Sequence, residues 1–581
     1  MNLFVISCGA ISQERVRIAE AMREQARLFP GPTAGDIEET TWTGPVHVAW
    51  LRASKPTSAV AAGPDRVVLV DGVAIRGSGD KVITAADVAS QPAGYFTGDS
   101  ELDGQFAIAD ATADSVDTAI DALGLCRLYW WHGGNGWIIS NRAEPLRRLS
   151  GEQGLDLTAA ATFMSVGWVT GNGTLLPGIQ TLPAGARWSW TPTRSVTLTR
   201  PRDPWRIVAR SRETVGTVAL ADALVARCAA VGTWAGEVEA SLTSGLDSRL
   251  IFMLLQAGEV KAKYITGGDP QSRDVVVASK IAAAYGAEHR ALPPFSKLAV
   301  LEAWPALSRK LVAQNDGLVS LWQVVDLMRS PVGAPVALWG VGGSVGRSFF
   351  GTPRDLAAIA TGPMLSRFMA SRVTDCHGLL TAEAKAASSG QLQDFVDTAL
   401  AQGARPHDIP DAFHTLEQIG KWGSANAQKT FPVPMYSPFC TLPYLRAAFA
   451  LSPVRRYSEP FHFRLFKHFA HGSDIASHPT GKWRSQVPYL NLLYGLKRQK
   501  AMQNPERDPL GLRYEMMEVI RDELVSRCMD RGSSCLWQII DRRAFEAAMS
   551  AAPDYRAKIA TSIYGAVTLF EYEAFRAEGA Q

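Results

Sequence analysis

Val238-Glu239-Ala240-Ser241-Leu242-Thr243-Ser244-Gly245-Leu246-Asp247-Ser248-Arg249-Leu250 runs from a short strand pattern through small residues into a helical one. The strand ends at Leu242, and Leu250, Ile251, Leu254 and Leu255 then recur at helical spacing. Small residues let backbone N–H groups come close to a phosphate, and a helix start adds unpaired N–H groups and its positive dipole end. The turn therefore reads as an anion site, with Leu242, Thr243, Ser244, Gly245, Asp247 and Ser248 as its candidate binding residues. Asp247 inside such a turn repels the anion unless a Mg²⁺ bridges its carboxylate to phosphate oxygens, which makes Asp247 the candidate metal ligand. An ordinary strand-to-helix turn with Ser and Asp as N-caps fits the same pattern.

Outward from this turn the chain changes character. Up to about Arg200 it reads as short β-runs cut by turn residues, as in Val67–Val70 before Asp71-Gly72, Gln105–Ile108 after Asp103-Gly104, and Trp137–Ser140 after Gly134-Asn135-Gly136. After Pro201-Arg202-Asp203-Pro204 come long helical periods such as Glu213 to Ala230, interrupted by short strands at Val238–Leu242, Lys263–Thr266 and Pro335–Trp339. Alternating strand and helix predicts a parallel sheet with crossover helices. From about Ser458 onward the pattern is almost wholly helical.

With 581 residues, 46% hydrophobic and 20% charged, the chain falls in the globular range, and its length predicts roughly two to four domains. The 59 Lys and Arg against 56 Asp and Glu leave a charge of +3, so no global field draws the protein to nucleic acid or anionic lipid. Seven scattered cysteines with no C-x-x-C pair predict reduced thiols in a cytoplasm. The N-terminus lacks a basic leader pattern, and no uncharged apolar run reaches the length of a membrane helix, so neither export nor an anchor is expected.

Thr243-Ser244-Gly245-Leu246-Asp247-Ser248 resembles the S-G-G-x-D-S pyrophosphate loop of the ATP-pyrophosphatase group, specifically that of the asparagine-synthetase-like enzymes. Leu102-Asp103-Gly104-Gln105-Phe106-Ala107 is similar to their L-D-G-x-F-A strand, and Gly124 to Trp130 to their D-x-x-G-x-R-x-L-Y-Y segment. Gly178-Ile179-Gln180-Thr181-Leu182-Pro183-Ala184-Gly185 resembles their G-I-x-x-L-P-A-G turn. Asp274, Ala278, Ala282, Gly286 and His289 look like a D-x-x-x-A…H helix, and Val336 to Gly343 like the V-V-L-S-G-E-G-A-D-E strand and turn.

The resemblance implies a glutaminase-like, Ntn-type antiparallel β-sandwich with helices over residues 1–205. It implies an α/β parallel-sheet synthetase domain of the PP-loop kind, with a helical C-terminus, over residues 206–581. Such enzymes adenylate a carboxylate, release pyrophosphate and let an amine attack the acyl-adenylate, with ATP and Mg²⁺ as cofactors. Thr266, Gly267, Asp274, Gly340 and Gly342 join the turn residues as expected ATP contacts.

Three departures shape the expectation. Glutamine-using members carry a nucleophilic Cys at position two, where this chain has Asn2; Cys8 reads as a small buried residue, so the attacking amine should not come from glutamine. The acidic pair after the glycine turn is replaced by Ser344-Val345; Ser344 would donate to a phosphate, carry a metal-bound water, or cap a helix. His478-Pro479-Thr480-Gly481-Lys482-Trp483-Arg484 resembles the P-T-x-x-K segment of lasso-peptide cyclases, so Lys482 is the candidate catalytic Lys beside Asp247 and Ser344, with Lys467 as a poorer one.

The resemblance is thus strongest to the lasso-peptide macrolactam synthetases. It implies that an Asp or Glu side chain of a precursor peptide is adenylated and joined to that peptide's α-amine, in cooperation with a leader peptidase and a leader-recognition protein. A small-molecule amide or β-lactam synthetase, and a non-catalytic nucleotide- or peptide-binding relative, are the other expectations. The Tyr that activates the amine in β-lactam synthetases would fall near Val341, which takes no proton.

Overall fold

The computed structural model describes residues 3–9, 14–27, 37–51, 59–133, 136–210, 215–328, 334–350, 359, 362–373, 378–427, 433–470, 475, 483–484 and 509–578. Two antiparallel sheets occupy the first part of the chain. One runs in the spatial order Gln180–Thr181, Tyr129–Gly133, Gly136–Ser140, Phe4–Gly9, Val46–Leu51, Ile37–Glu39. The other runs Ser195–Thr199, Arg187–Thr191, Val116–Ile120, Asp103–Thr112, Arg66–Ile75, Val60–Ala62, with Val82–Ile83 beside Arg66–Ile75.

Side-chain alternation makes the sandwich. Phe4, Ile6 and Cys8 point into a shared core with Val67, Leu69, Ala107, Ala109 and Trp188 of the other sheet. Val5 faces the opposite side, towards Ile18 and Met22 of the helix Arg15–Arg27. Burial raises the Cys8 thiol well above its ordinary range, so it packs as a small apolar residue. Asn2 lies outside the described residues.

The second part is built on a parallel sheet in the order His289–Leu292, Ala262–Gly267, Val238–Ser241, Ala337–Leu338, Met435–Tyr436. The helices Leu246–Ala257 and Arg273–Tyr285 cross between its strands, as the alternating pattern predicts. The predicted strand Pro335–Trp339 contracts to Ala337–Leu338, although Trp339 N still donates to Tyr436 O at 3.1 Å. The predicted helix from Glu213 is Thr217–Ala235; it starts after Gly216 and stops at Gly236, whose φ of 74° suits a residue without Cβ.

By length and composition Thr217–Ala235 is apolar enough to cross a membrane. It nonetheless carries Arg227, buried in an ion pair with Asp103 at 2.7 Å, and its Leu220, Leu224, Cys228 and Val231 lie in the core of the parallel-sheet unit. It therefore packs as a core helix.

Residues that carry the family resemblance in the first part join the two units. Asp103 pairs with Arg227 and accepts from Leu442 N at 2.9 Å. The Gln105 amide exchanges two hydrogen bonds with the Ser437 backbone, at 2.8 and 2.7 Å, in the manner of an added strand residue. Arg127 Nε donates to Ser424 Oγ at 2.6 Å. All of these are buried, and breaking any one strands a polar group away from water.

One buried carboxyl gives a pH prediction. Asp316 is 3% exposed, sits at φ 53°, and leaves Oδ2 without a hydrogen-bond partner among the described residues. Burial raises its pKa from 3.8 to about 6, against the opposing pull of Arg142 and the Tyr129 hydroxyl. Between about pH 4 and pH 6 the folded chain holds a proton that the unfolded chain has lost, so this contribution to stability is intact below the unfolded value and is lost as pH rises through the folded one. Asn is isosteric, neutral and tolerant of positive φ. Asp316→Asn is therefore expected to raise the unfolding free energy by about 1–3 kcal/mol near pH 8 and by little near pH 4, read from urea denaturation at both values.

Candidate functional site

The parallel strand order reverses between Val238–Ser241 and Ala337–Leu338: successive strands are laid to one side of the first, then to the other. In open parallel sheets this reversal opens a crevice at the carboxyl ends of the two strands. The turn after Ser241 and the turn after Leu338 meet at this place, glycines of the second lying against Asp247 of the first.

The first turn is tied to itself and to its neighbours. Leu242 is fully buried, and its carbonyl accepts from Thr266 Oγ1, which also lies 2.8 Å from His289 Nε2. Ser248 Oγ accepts from Thr243 N at 3.1 Å and sits 2.8 Å from Thr243 Oγ1, which in turn accepts from Gly245 N at 3.0 Å. Asp274, in the first turn of Arg273–Tyr285, accepts from Ser244 N at 3.1 Å and from Ser244 Oγ. Asp274 thus shapes the turn from behind. Gly267 ends its strand opposite Leu292, one strand away from the crevice.

Three backbone donors of the turn, on Thr243, Ser244 and Gly245, are consequently taken by side chains. What stays open is the helix terminus: Gly245 is the N-cap residue of Leu246–Ala257 and brings no side-chain acceptor. The first-turn N–H groups of Leu246, Asp247 and Ser248 have no carbonyl one turn back to bond.

The second turn lies against the first because glycines permit it. A Cβ on Gly340 would come within 2.9 Å of Asp247 Cβ, and one on Gly343 within 2.3 Å of Asp247 Oδ1. Gly342, at φ 89°, caps the short 3₁₀ helix Gly343–Arg347, and Gly343 O is held by the Tyr444 hydroxyl at 2.9 Å.

Asp247 is only partly buried and bonds two cationic or potentially cationic groups. Arg347 Nη2 donates to Oδ2 at 2.7 Å, and His462 Nε2 lies 2.7 Å from Oδ1. Burial works to raise its pKa, but the Arg347 charge and the His462 hydrogen bond outweigh burial and hold the carboxyl below its ordinary value. Arg347 Nε is buried and has no hydrogen-bond partner among the described residues.

These contacts alter the expectation that Mg²⁺ offsets the Asp247 charge. Both carboxylate oxygens are already engaged by protein groups, and among the described residues no group of three or more His, Cys, Asp or Glu could hold a metal ion. One paired carboxylate is a poor donor set for an ion that requires near-octahedral oxygen ligation. The described residues do not fit a resident Mg²⁺.

Ser344 does not cap the helix, whose N-cap residue is Gly342. Its Oγ lies 2.6 Å from His414 Nε2, and His414 Nδ1 lies 2.7 Å from Gln418 Oε1. Both partners sit on the π-helical stretch His414–Gly423. Phe349 stacks on the His414 ring at 3.9 Å and 4°. Burial, with the nearby Arg347 charge adding to it, lowers the His414 pKa to about 4, so its imidazole is neutral. Val341, beside this turn, gives its carbonyl to Ser437 Oγ at 2.5 Å.

The third predicted catalytic residue, Lys482, lies outside the described residues. Its neighbour Trp483 is buried against Phe463 and Phe466, and Arg484 stacks over Tyr457 at 4.3 Å. Lys467 is exposed, with its ammonium 4.9 Å above the Phe463 ring. Arg249 is buried and donates to Ile475 O at 2.9 Å. The structure therefore gathers Leu242, Thr243, Ser244, Gly245, Asp247, Ser248, Thr266, Asp274, Gly340, Gly342 and Ser344 in and around the two turns. It adds Arg347, His462, His414 and Gln418. Of these only Arg347 had a signal in the sequence, a basic residue just past a lost acidic pair.

No family model matches the chain, and no curated protein matches it. Among solved structures it is similar to one of the allosteric regulatory enzyme of purine biosynthesis, at 10% identity and a TM-score of 0.23, over 50% of this chain and 65% of that one. It is also similar to glutamine phosphoribosylpyrophosphate amidotransferase from B. subtilis complexed with ADP and GMP, at 10% identity and a TM-score of 0.22, over the same shares. The chain thus spans less than two thirds of the length of the solved chains it matches. Likeness at that level says nothing of activity.

Proposed function

We propose that the chain is an ATP-dependent, AMP-forming amide ligase of the asparagine-synthetase-like kind, acting on a peptide as lasso-peptide cyclases do. One observation carries this reading: the Asp247–Arg347 pair fixes a guanidinium beside an open helix terminus at the crevice where the sheet order reverses.

In this proposal ATP enters as its Mg²⁺ complex, with the ion arriving as part of the substrate. The phosphates lie on the N–H groups of Leu246, Asp247 and Ser248, and Arg347 Nε donates to them. Rotation of the Thr243 and Ser248 hydroxyls frees further turn N–H groups. An Asp or Glu carboxylate of the peptide attacks the α-phosphate, pyrophosphate leaves, and the peptide's α-amine attacks the acyl-adenylate to close an isopeptide ring. Fixed donors aimed where charge develops are the main source of acceleration in such a step. Lys482 is proposed to meet that charge at the amine-attack step. A leader peptidase and a leader-recognition protein in the same cytoplasm are the proposed partners, since the α-amine is free only after cleavage.

ATP–pyrophosphate exchange tests the reading. Exchange that requires a peptide with a free α-amine and an acidic side chain supports it. Exchange with a small amino-acid derivative alone makes the chain a small-molecule amide synthetase, and nucleotide binding without exchange on any carboxylate makes it a binding protein. Lys482→Ala is expected to lower kcat for ring closure about 10²–10³-fold, roughly 2.7–4 kcal/mol of barrier. Unchanged turnover would move Lys482 to the surface.

A further inference from the structure

The Ser344 environment has a geometry that phosphate binding does not require. Gly342-Gly343-Ser344-Val345-Gly346 has the G-x-S-x-G form, and it lies where the strand Ala337–Leu338 turns into the helix Gly343–Arg347. The same pentapeptide presents a nucleophilic serine on strand-to-helix elbows, although here Ser344 sits within the 3₁₀ helix, six residues past Leu338. The hydrogen-bonded chain Ser344 Oγ, His414 Nε2, His414 Nδ1, Gln418 Oε1, with links of 2.6 and 2.7 Å, repeats the nucleophile, base and orienting group of acyl-transfer sites. The Gln418 amide oxygen can only accept, so it keeps the proton on Nδ1 and leaves Nε2 to take one from Ser344. Face-to-face stacking by Phe349 fixes the plane of the ring. A 3₁₀ helix has three residues per turn, so Arg347 stands on the same face as Ser344 and its unpartnered Nε is a donor for an oxyanion.

We propose that Ser344, activated by His414 and oriented through Gln418, is a nucleophile that takes the acyl group from the activated carboxylate as a serine ester before the amine attacks.

This inference rests on the ligase reading for the source of the acyl group. Oγ attacks the carbonyl carbon, its proton passes to His414 Nε2, the carbon–oxygen bond to AMP breaks, and AMP leaves. The amine then attacks the ester carbon, the bond to Oγ breaks, His414 returns its proton to Oγ, and the amine proton passes to solvent. A site that carries an ester can hold its acyl group while a peptide folds its amine towards it.

The test is labelling of the full chain with an alkyl fluorophosphonate, in which Oγ–P forms and fluoride leaves, followed by peptide mass spectrometry. One adduct on Ser344 is expected, absent in Ser344→Ala and formed about 10²–10⁴-fold more slowly in His414→Gln, the usual range for removal of a general base. Melting temperatures close to that of the parent chain show that both variants fold. No adduct on Ser344, or an equal rate in His414→Gln, overturns the proposal. A second arm uses ATP and an acidic peptide whose α-amine is blocked: an ester adduct of peptide mass less water on Ser344 is expected, and its absence while exchange proceeds also overturns it. Labelling without exchange on any carboxylate would sink the ligase reading and leave the nucleophile standing; exchange without labelling would do the reverse.

Discussion

Arg347→Met is expected to slow ATP–pyrophosphate exchange about 10²–10³-fold at saturating ATP, the loss that follows removal of one preorganised donor to developing charge. Arg347 is ion-paired with Asp247, and its buried Nε–H has no hydrogen-bond partner among the described residues. Its removal takes away the donor aimed at the phosphates and leaves Asp247 with His462 as its remaining partner, so a negative charge then faces an incoming anion. Arg347→Lys keeps the charge but loses the planar fork that bonds a carboxylate and a phosphate together, so an intermediate rate is expected. Asp247→Asn removes the anchor that aims the guanidinium and should fall as far as Arg347→Met; since both disrupt one pair, the double variant should be little worse than either single. Steady-state exchange rates on the four variants check this, and near-normal exchange in Arg347→Met would place the nucleotide elsewhere.

The sequence made the sheets legible because strand and helix periods are local. Gln105–Ile108, Val238–Leu242 and Lys263–Thr266 all fall within observed strands or one residue beyond them. The strand-to-helix turn could be read for the same reason: small residues between an apolar strand and an apolar helix need no distant partner to be recognised. The charge balance of that turn is a different matter. Arg347 and His462 stand 100 and 215 residues from Asp247 in the chain, so only the fold brings them together, and a lone Asp in the sequence suggests a metal where the structure supplies a guanidinium and an imidazole. Ser344 was visible as a substitution, but its partners His414 and Gln418 lie 70 and more residues on, with spacing i and i+4 that any helix surface offers. Asp103, Gln105 and Arg127 were legible as parts of family motifs, yet their buried bonds across the two units follow from packing alone.

Arg456→Met is expected to lower the unfolding free energy by about 3–5 kcal/mol, because it breaks a buried ionic cluster from one side. Arg456 is fully buried: its Nη2 lies 2.7 Å from Asp408 Oδ1 and 2.9 Å from Asp411 Oδ2, its Nε donates to Asp411 Oδ2 at 3.0 Å, and its Nη1 donates to the carbonyls of Leu451 and Ala448 at 2.6 and 3.2 Å. Without it Asp408 keeps Arg405, while Asp411 keeps, among the described residues, neutral donors such as Phe349 N at 3.0 Å. Burial already raises the Asp411 pKa against the pull of Arg456, and losing that pull raises it further. A carboxyl whose folded pKa is raised has its stabilising contribution at low pH and loses it as pH rises, so the variant should be hurt more near pH 8 than near pH 5. Arg446→Met serves as the contrast: its pair with Glu101 at 3.1 Å leaves both side chains 44% and 57% exposed, and its loss should cost at most about 1 kcal/mol. Urea midpoints at unchanged slope measure both. Because Asp411 also holds the backbone of Phe349, whose ring stacks on His414, Arg456→Met should in addition slow fluorophosphonate labelling of Ser344, whereas Arg446→Met should leave it unchanged. Equal losses of stability in the two variants would mean that the buried cluster contributes no more than a surface pair.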